Sequence, residues 1–222
     1  MVGAHFAKET ILTCVRWYLA YPLSYRQLEE IMQEPGIAGD HSTVNLWVLK
    51  YAPQLTEAFH RRKRPVSRSW RLDETYIRVR GHWCYLYRAV DKAGQTIDFL
   101  LTPERDREAA LRFLKQAIAR HGVPETITID GSEANAAAIK RYNAEHGAAM
   151  AIRQIRYLNN VVEQDHRAVK RITRPMLGFK SFEAAQSTLA GVELMHMIWK
   201  GQLASGANQV LTAAEQFYAL AA

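Results

Sequence analysis

The stretch WRLDETYIRVRGHWCYLYRAVD, Trp70 to Asp91, decides the fold. Aromatic and β-branched residues dominate two runs, WRLDETYIRV and HWCYLYRAVD, with only Arg80 and Gly81 between them. Two strand-forming runs joined by so short a connection predict an antiparallel hairpin. The first run also carries an acidic pair, Asp73 and Glu74, and a carboxylate on a core strand costs desolvation unless something compensates it.

Working outward toward the C-terminus, GQTIDFLLT predicts a third strand after the turn at Lys92–Gly94. From Asp106 the pattern turns helical, with Leu111, Phe113, Leu114 and Ile118 on one side and Gly122 closing the helix. PETITID then reads as a short buried strand ending at Asp130, SEANAAAIKRYNAEHG as a helix, AIRQIR as a fifth strand, and NNVVEQDHRAVKRITR as a helix ended by Pro175. Three sequential strands followed by alternating helix and strand predict an α/β mixed sheet with helices on both faces.

Toward the N-terminus the apolar period is helical. Ile11, Leu12, Val15, Tyr18 and Leu19 mark an amphipathic helix over Lys8–Ala20, ended by Pro22. Ser24 and Gln27 have capping-box spacing ahead of Leu28, Ile31 and Met32, and EPG at 34–36 stops that second helix. A third helix is expected from near Ser42 to Pro53. Three short helices suggest a helix-turn-helix module over residues 1–59. In that reading His41, Thr43, Asn45 and Lys50 face bases or phosphates while Val44, Trp47 and Val48 pack inward. The connection from Gln33 to His41 exceeds a tight turn, so a plain three-helix bundle is the alternative. HRRKRPVSRS, 60–69, lacks apolar period and reads as a basic linker. Its cations Arg61, Arg62, Lys63, Arg64 and Arg68 either keep a connector solvated or neutralise phosphates.

The chain has 222 residues, and 29 Lys plus Arg against 22 Asp plus Glu give a formal charge of +7, which favours a polyanionic partner. Cys14 and Cys84 have no zinc-site spacing and read as reduced cytosolic thiols. No apolar run reaches the roughly 18 residues of a membrane span, so no membrane partner and a cytoplasmic location are expected.

Asp73 lies within the first strand and Asp130 at the end of the fourth, while Glu163 is expected in the first turn of the helix after the fifth. If the first and fourth strands are neighbours, these three carboxylates share a pocket. Such a cluster is costly without cations. Two Mg²⁺ ions about 3.5–4 Å apart, with Mn²⁺ as a substitute, would remove the cost and stabilise an in-line phosphoryl displacement. Each acid also has a plainer reading. Asp73 fits a solvent-facing edge position with Glu74 paired to an arginine, Asp130 a turn that caps the next helix, and Glu163 a capping box with Asn160. A 100° step gathers Glu163, Arg167, Lys170 and Arg174 into one sector, with Val162, Val169 and Ile172 in another. That sector is either a salt-bridge ladder or a cationic strip for DNA phosphates. His166 reads as a phosphate or water contact, not as a metal ligand.

The segments RLDETYIRVRGHWCYLYRAVD, ITIDGSEAN, YLNNVVEQDHRAVKR and RPMLGFKSF, with the N-terminal VRWYLAYPLSYRQLEE, resemble the insertion-sequence-six family of bacterial DDE transposases. The resemblance runs from about His5 to Lys200. It implies a ribonuclease-H-like catalytic domain over residues 70–178, followed by C-terminal helices over 179–222. It places the catalytic triad on Asp73, Asp130 and Glu163, with Lys170 matching the basic residue such enzymes carry two turns after the glutamate. The interval from Asp130 to Glu163 leaves 32 residues, slightly fewer than the family's nominal spacing. The implied activity is strand cleavage at element ends and transfer of the 3′-OH into target DNA, forming a cointegrate. The implied partner is double-stranded DNA, both inverted repeats and target, bound by a homodimer or larger oligomer. A non-catalytic DNA-binding regulator is the alternative.

Overall fold

The computed structural model describes residues 6–204 and 211–221, with the side chain of Arg156 left aside. The start of the resemblance at His5 therefore lies outside the described residues. Contacts divide the chain into two units, residues 1–64 with 169–222, and residues 65–168.

The second unit is built on a five-stranded sheet. Its strands are β1 (Ser69–Val79), β2 (His82–Asp91), β3 (Thr96–Thr102), β4 (Thr126–Ile129) and β5 (Ala151–Gln154), in the spatial order β3-β2-β1-β4-β5. β1, β2 and β3 form an antiparallel meander, whereas β4 runs parallel to β1 and β5 parallel to β4. This mixed order is that of the ribonuclease-H-like fold. The hairpin turns at Arg80 and Gly81, both with positive φ (50° and 82°), the backbone a two-residue primed turn demands.

Two helices cover one face: α4 (Arg107–His121) and α5 (Glu133–His146), capped by Asp106 and Ser132. Trp70, Leu72, Tyr87, Ala89, Ile127 and Ile129 join Phe113, Leu114, Ile139 and Tyr142 in one core beneath them. The side-chain period of two then sends Arg71, Asp73 and Thr75 to the opposite face.

The first unit is helical: α1 (Lys8–Ala20), α2 (Tyr25–Gln33), α3 (His41–His60), α7 (Phe182–Trp199) and α8 (Ala213–Tyr218). The Ser24–Gln27 capping box forms with both of its hydrogen bonds. α3 differs from expectation because it continues through Pro53 to His60. Proline removes one helical hydrogen bond, yet Ala52, Leu55, Thr56 and Phe59 on either side of it are all buried, and their burial outweighs the loss. α7 lies in the core of this unit: Ala185, Leu189, Val192, Leu194, Met195, Met197 and Ile198 are buried. A Cβ on Gly191 would stand 2.9 Å from Ala52 Cβ and run into the Leu19 side chain, so α7 can approach α1 and α3 this closely only with glycine there.

α6 (Arg156–Thr173) passes from the second unit into the first. The helix starts earlier than expected, so Glu163 stands two turns inside it and Asn160 is no cap. Val162, Val169 and Ile172 are its buried stripe, as the helical period requires. No helix among the described residues is long and apolar enough to cross a membrane.

Candidate active site

Beside the hairpin, the parallel pairing of β1 and β4 matches Ser69 with Thr126, Trp70 with Ile127 and Arg71 with Thr128. Asp130 lies two residues beyond Thr128, the last residue of β4 paired with β1, just as Asp73 lies two beyond Arg71, and adjacent strands lie about 4.8 Å apart. Asp130 follows the last residue of β4, and its Oδ1 accepts from the backbone N–H of Ser132 at 3.1 Å. Asp130 thus makes the turn expected of it.

α6 lies against this face. Asn159 Nδ2 donates to the Leu72 carbonyl at 3.4 Å, Arg71 Nε donates to the Leu158 carbonyl at 3.0 Å, and the His166 ring meets Asp73 with Nε2 to Oδ2 at 3.1 Å. Glu163 is four residues after Asn159 and three before His166, so it occupies the same flank of the helix, at its exposed rim. Asp73 thus lies on β1 beneath α6, Asp130 just past the end of β4, and Glu163 on the flank of α6 that carries Asn159 and His166. Among the described residues, however, no group of three His, Cys, Asp or Glu side chains stands close enough to hold a metal ion, so the single three-carboxylate pocket is not assembled. The donors are all oxygens, and Mg²⁺ asks for only one or two carboxylates, with water and phosphate completing its shell. The residues fit such an ion.

His166 corrects an expectation. It is 5% exposed, too buried for the phosphate or water contact anticipated for it. Its Nδ1 faces Arg88 Nη1 at 3.4 Å, and Arg88, itself fully buried, donates from Nη2 to Asp165 Oδ2 at 2.7 Å. Arg88 is also the cross-strand partner of Asp73. The sequence held a signal for this: one arginine interrupts the apolar run Tyr85–Val90.

On the other face Glu74 is buried and accepts from Arg105 and from Asn135 Nδ2, the latter at 3.1 Å. Burial pushes its carboxyl above the ordinary glutamate range, and Asn135 and Arg105 offset part of that push.

In the first unit the anticipated DNA-facing residues lie on or after α3. His41 and Lys50 are exposed, Thr43 and Asn45 half-buried, and Val44 and Val48 fully buried. His41 is tied through Nδ1 to Glu29 at 2.9 Å, and the Lys50 ammonium lies 5.1 Å from the Tyr51 ring centre. Leu46, on the same helix, is 64% exposed and was not singled out by its sequence pattern. Arg61 pairs loosely with Glu57 at 3.9 Å, Arg62 donates to the Ala219 carbonyl at 3.1 Å, and Lys63 and Arg64 join the strand-like bridge to Gln202–Leu203. Along α6 and just past it, Arg167 and Arg174 are exposed and Lys170 is half-buried.

Comparison with known proteins adds an independent line. A family model described as a DDE domain matches residues 67–202. The transposase of the insertion-sequence-like element IS431mec of Staphylococcus aureus is 38% identical over 200 residues, covering 88% of this chain and 86% of that protein. The transposase of insertion sequence IS257 in transposon Tn4003, also from Staphylococcus aureus, is similar to the same extent, 38% over 200 residues. Among solved structures, the catalytic core domain of BIV integrase is similar with a TM-score of 0.45 at 19% identity, covering 69% of this chain and 93% of that one.

Proposed function

Because the chain belongs to the insertion-sequence-six family of DDE transposases and is thus a polynucleotidyl transferase, we propose that Asp73, Asp130 and Glu163 are its catalytic carboxylates and act on DNA at the ends of its element. The observation that supports this reading is the parallel β1–β4 pairing, which would bring Asp130 beside Asp73 if it ran two residues past Arg71 and Thr128, on the face that α6 crosses.

Asp73, at the centre of the sheet, and Asp130, at the strand end, would hold the cations through which one scissile phosphate is bound. Glu163 closes the site from the helix. Two Mg²⁺ ions, or Mn²⁺ in their place, when bound would supply Lewis-acid stabilisation of the attacking and leaving oxygens of an in-line displacement. Lys170 and Arg167 neutralise phosphates along the helix, and Arg174 extends that strip. Hydrolysis of one strand leaves a 3′-OH at the element's end. That hydroxyl then attacks a target phosphodiester, forming one P–O bond as another breaks, and joins donor to target as a cointegrate. His41, Thr43, Asn45 and Lys50 on α3 read the terminal inverted repeats, while Arg61, Arg62, Lys63 and Arg64 add sequence-independent phosphate contacts whose strength falls with salt. Two element ends must be held at once, so a homodimer or larger assembly on DNA is part of the proposal.

The test is a labelled duplex carrying the inverted repeat, incubated with the full chain and Mg²⁺. Strand nicking and joining by the wild type, lost in Asp73→Asn with DNA binding retained, is the expected result. Binding without nicking by the wild type would overturn it.

A further inference from the structure

Asp73 sits at one end of a buried chain of side chains. Asp165 Oδ2 receives Arg88 Nη2 at 2.7 Å, Arg88 Nη1 faces His166 Nδ1 at 3.4 Å, and His166 Nε2 faces Asp73 Oδ2 at 3.1 Å. A guanidinium has donors and no acceptor. The imidazole nitrogen that faces it must therefore be the bare one, which leaves the hydrogen on Nε2, aimed at Asp73. Arg88 cannot turn away to offer a different arrangement. It is fully buried, paired to an Asp165 side chain that is 9% exposed, and anchored on β2 directly opposite Asp73.

We infer that His166 is a positioning residue for Asp73. Arg88 selects the imidazole tautomer, and the tautomer donates one hydrogen bond that fixes the carboxylate's rotation. One lone pair of Oδ2 is thereby committed, and Oδ1 is left to hold a cation. An outer-shell donor to a ligating carboxylate of this kind is typically worth about 10–100-fold in metal affinity. The inference rests on the proposed role of Asp73 as a ligand, but it concerns different residues and has its own readout.

Glutamine and asparagine separate the two imidazole nitrogens. The glutamine amide reaches the place of Nε2, and the asparagine amide reaches only the place of Nδ1. Mn²⁺ binding by the full-length protein is followed by titration calorimetry for the wild type, His166→Gln, His166→Asn and Asp73→Asn, with thermal unfolding of each recorded alongside. The expected result is a loss of about 10–100-fold in affinity for His166→Asn, most of it recovered in His166→Gln, with both polar variants unfolding at similar temperatures. Equal Mn²⁺ affinity in the two variants, whether weak or as tight as the wild type, overturns the positioning role and leaves the triad proposal standing. If Asp73→Asn itself binds Mn²⁺ as the wild type does, the ligand role of Asp73 fails and the positioning role falls with it.

Discussion

Asp73 and Glu74 are neighbours on β1, yet they meet opposite environments. Asp73 faces α6, partly open, with His166 Nε2 beside its Oδ2. Glu74 faces the α4–α5 side, buried, with Arg105 and Asn135 around it. One residue of strand period separates a carboxylate whose Oδ2 meets a histidine from one whose oxygens accept from Arg105 and Asn135. The lesson is that acidity alone marks neither residue for chemistry. What distinguishes them is their surroundings: Glu74 is buried between Arg105 and Asn135, whereas Asp73 meets His166 at a partly open face.

The largest effect expected from this contrast is on activity. Asp73→Asn should lower strand nicking by at least about three orders of magnitude, the several kcal/mol that removal of a cation-holding carboxylate implies. Glu74→Gln should leave nicking within about tenfold, because each tenfold corresponds to about 1.4 kcal/mol and Glu74 touches no reacting group. Rates on the same labelled duplex decide it. Equal losses in the two variants would erase the distinction.

Next in size is the support beneath Asp73. Arg88→Ala leaves Asp165 and His166 without the guanidinium between them, and breaking a buried ion pair from one side costs about 3–5 kcal/mol. Urea unfolding should register this as a lower midpoint. A smaller cost, about 1–3 kcal/mol, is expected for Asn135→Ala, which takes a hydrogen bond from the buried Glu74 but leaves Arg105 in place.

The smallest effect is a slope. Glu74 has a folded-state pKa raised above its unfolded value, first of all by burial. Its contribution is therefore fully present below about pH 4.5, the unfolded value, and is lost as pH rises through the folded one. Relative to wild type, Glu74→Gln should flatten the fall in stability just above that pH. Unfolding free energies measured across mildly acidic to neutral pH give the slope directly, and parallel curves for the two proteins would mean Glu74 titrates alike in both states.

Much of this architecture was legible beforehand. The hairpin around Arg80–Gly81, the meander, the alternation that follows, the Ser24–Gln27 capping box and the glycine stop at Gly122 all depend on residues within a few positions of one another. The apolar stripe of α6 likewise follows from the helical period alone. Less legible were the features in which burial overrides local preference. Pro53 reads as a stop, but the apolar turns beyond it carry α3 on to His60. The cap expected at Asn160 vanished because α6 begins at Arg156.

The sequence by itself determined the elements, their order and the presence of three acids at the ends or middles of those elements, since propensity, period and capping act over a handful of residues. Only the tertiary structure decided that β4 lies parallel against β1, that Glu74 rather than Asp73 is the buried acid, and that Arg88 reaches His166 across 78 positions of chain. Those outcomes depend on strand order and side-chain contacts between distant segments, which no local pattern encodes, because the energy that selects them is gained only when the segments meet.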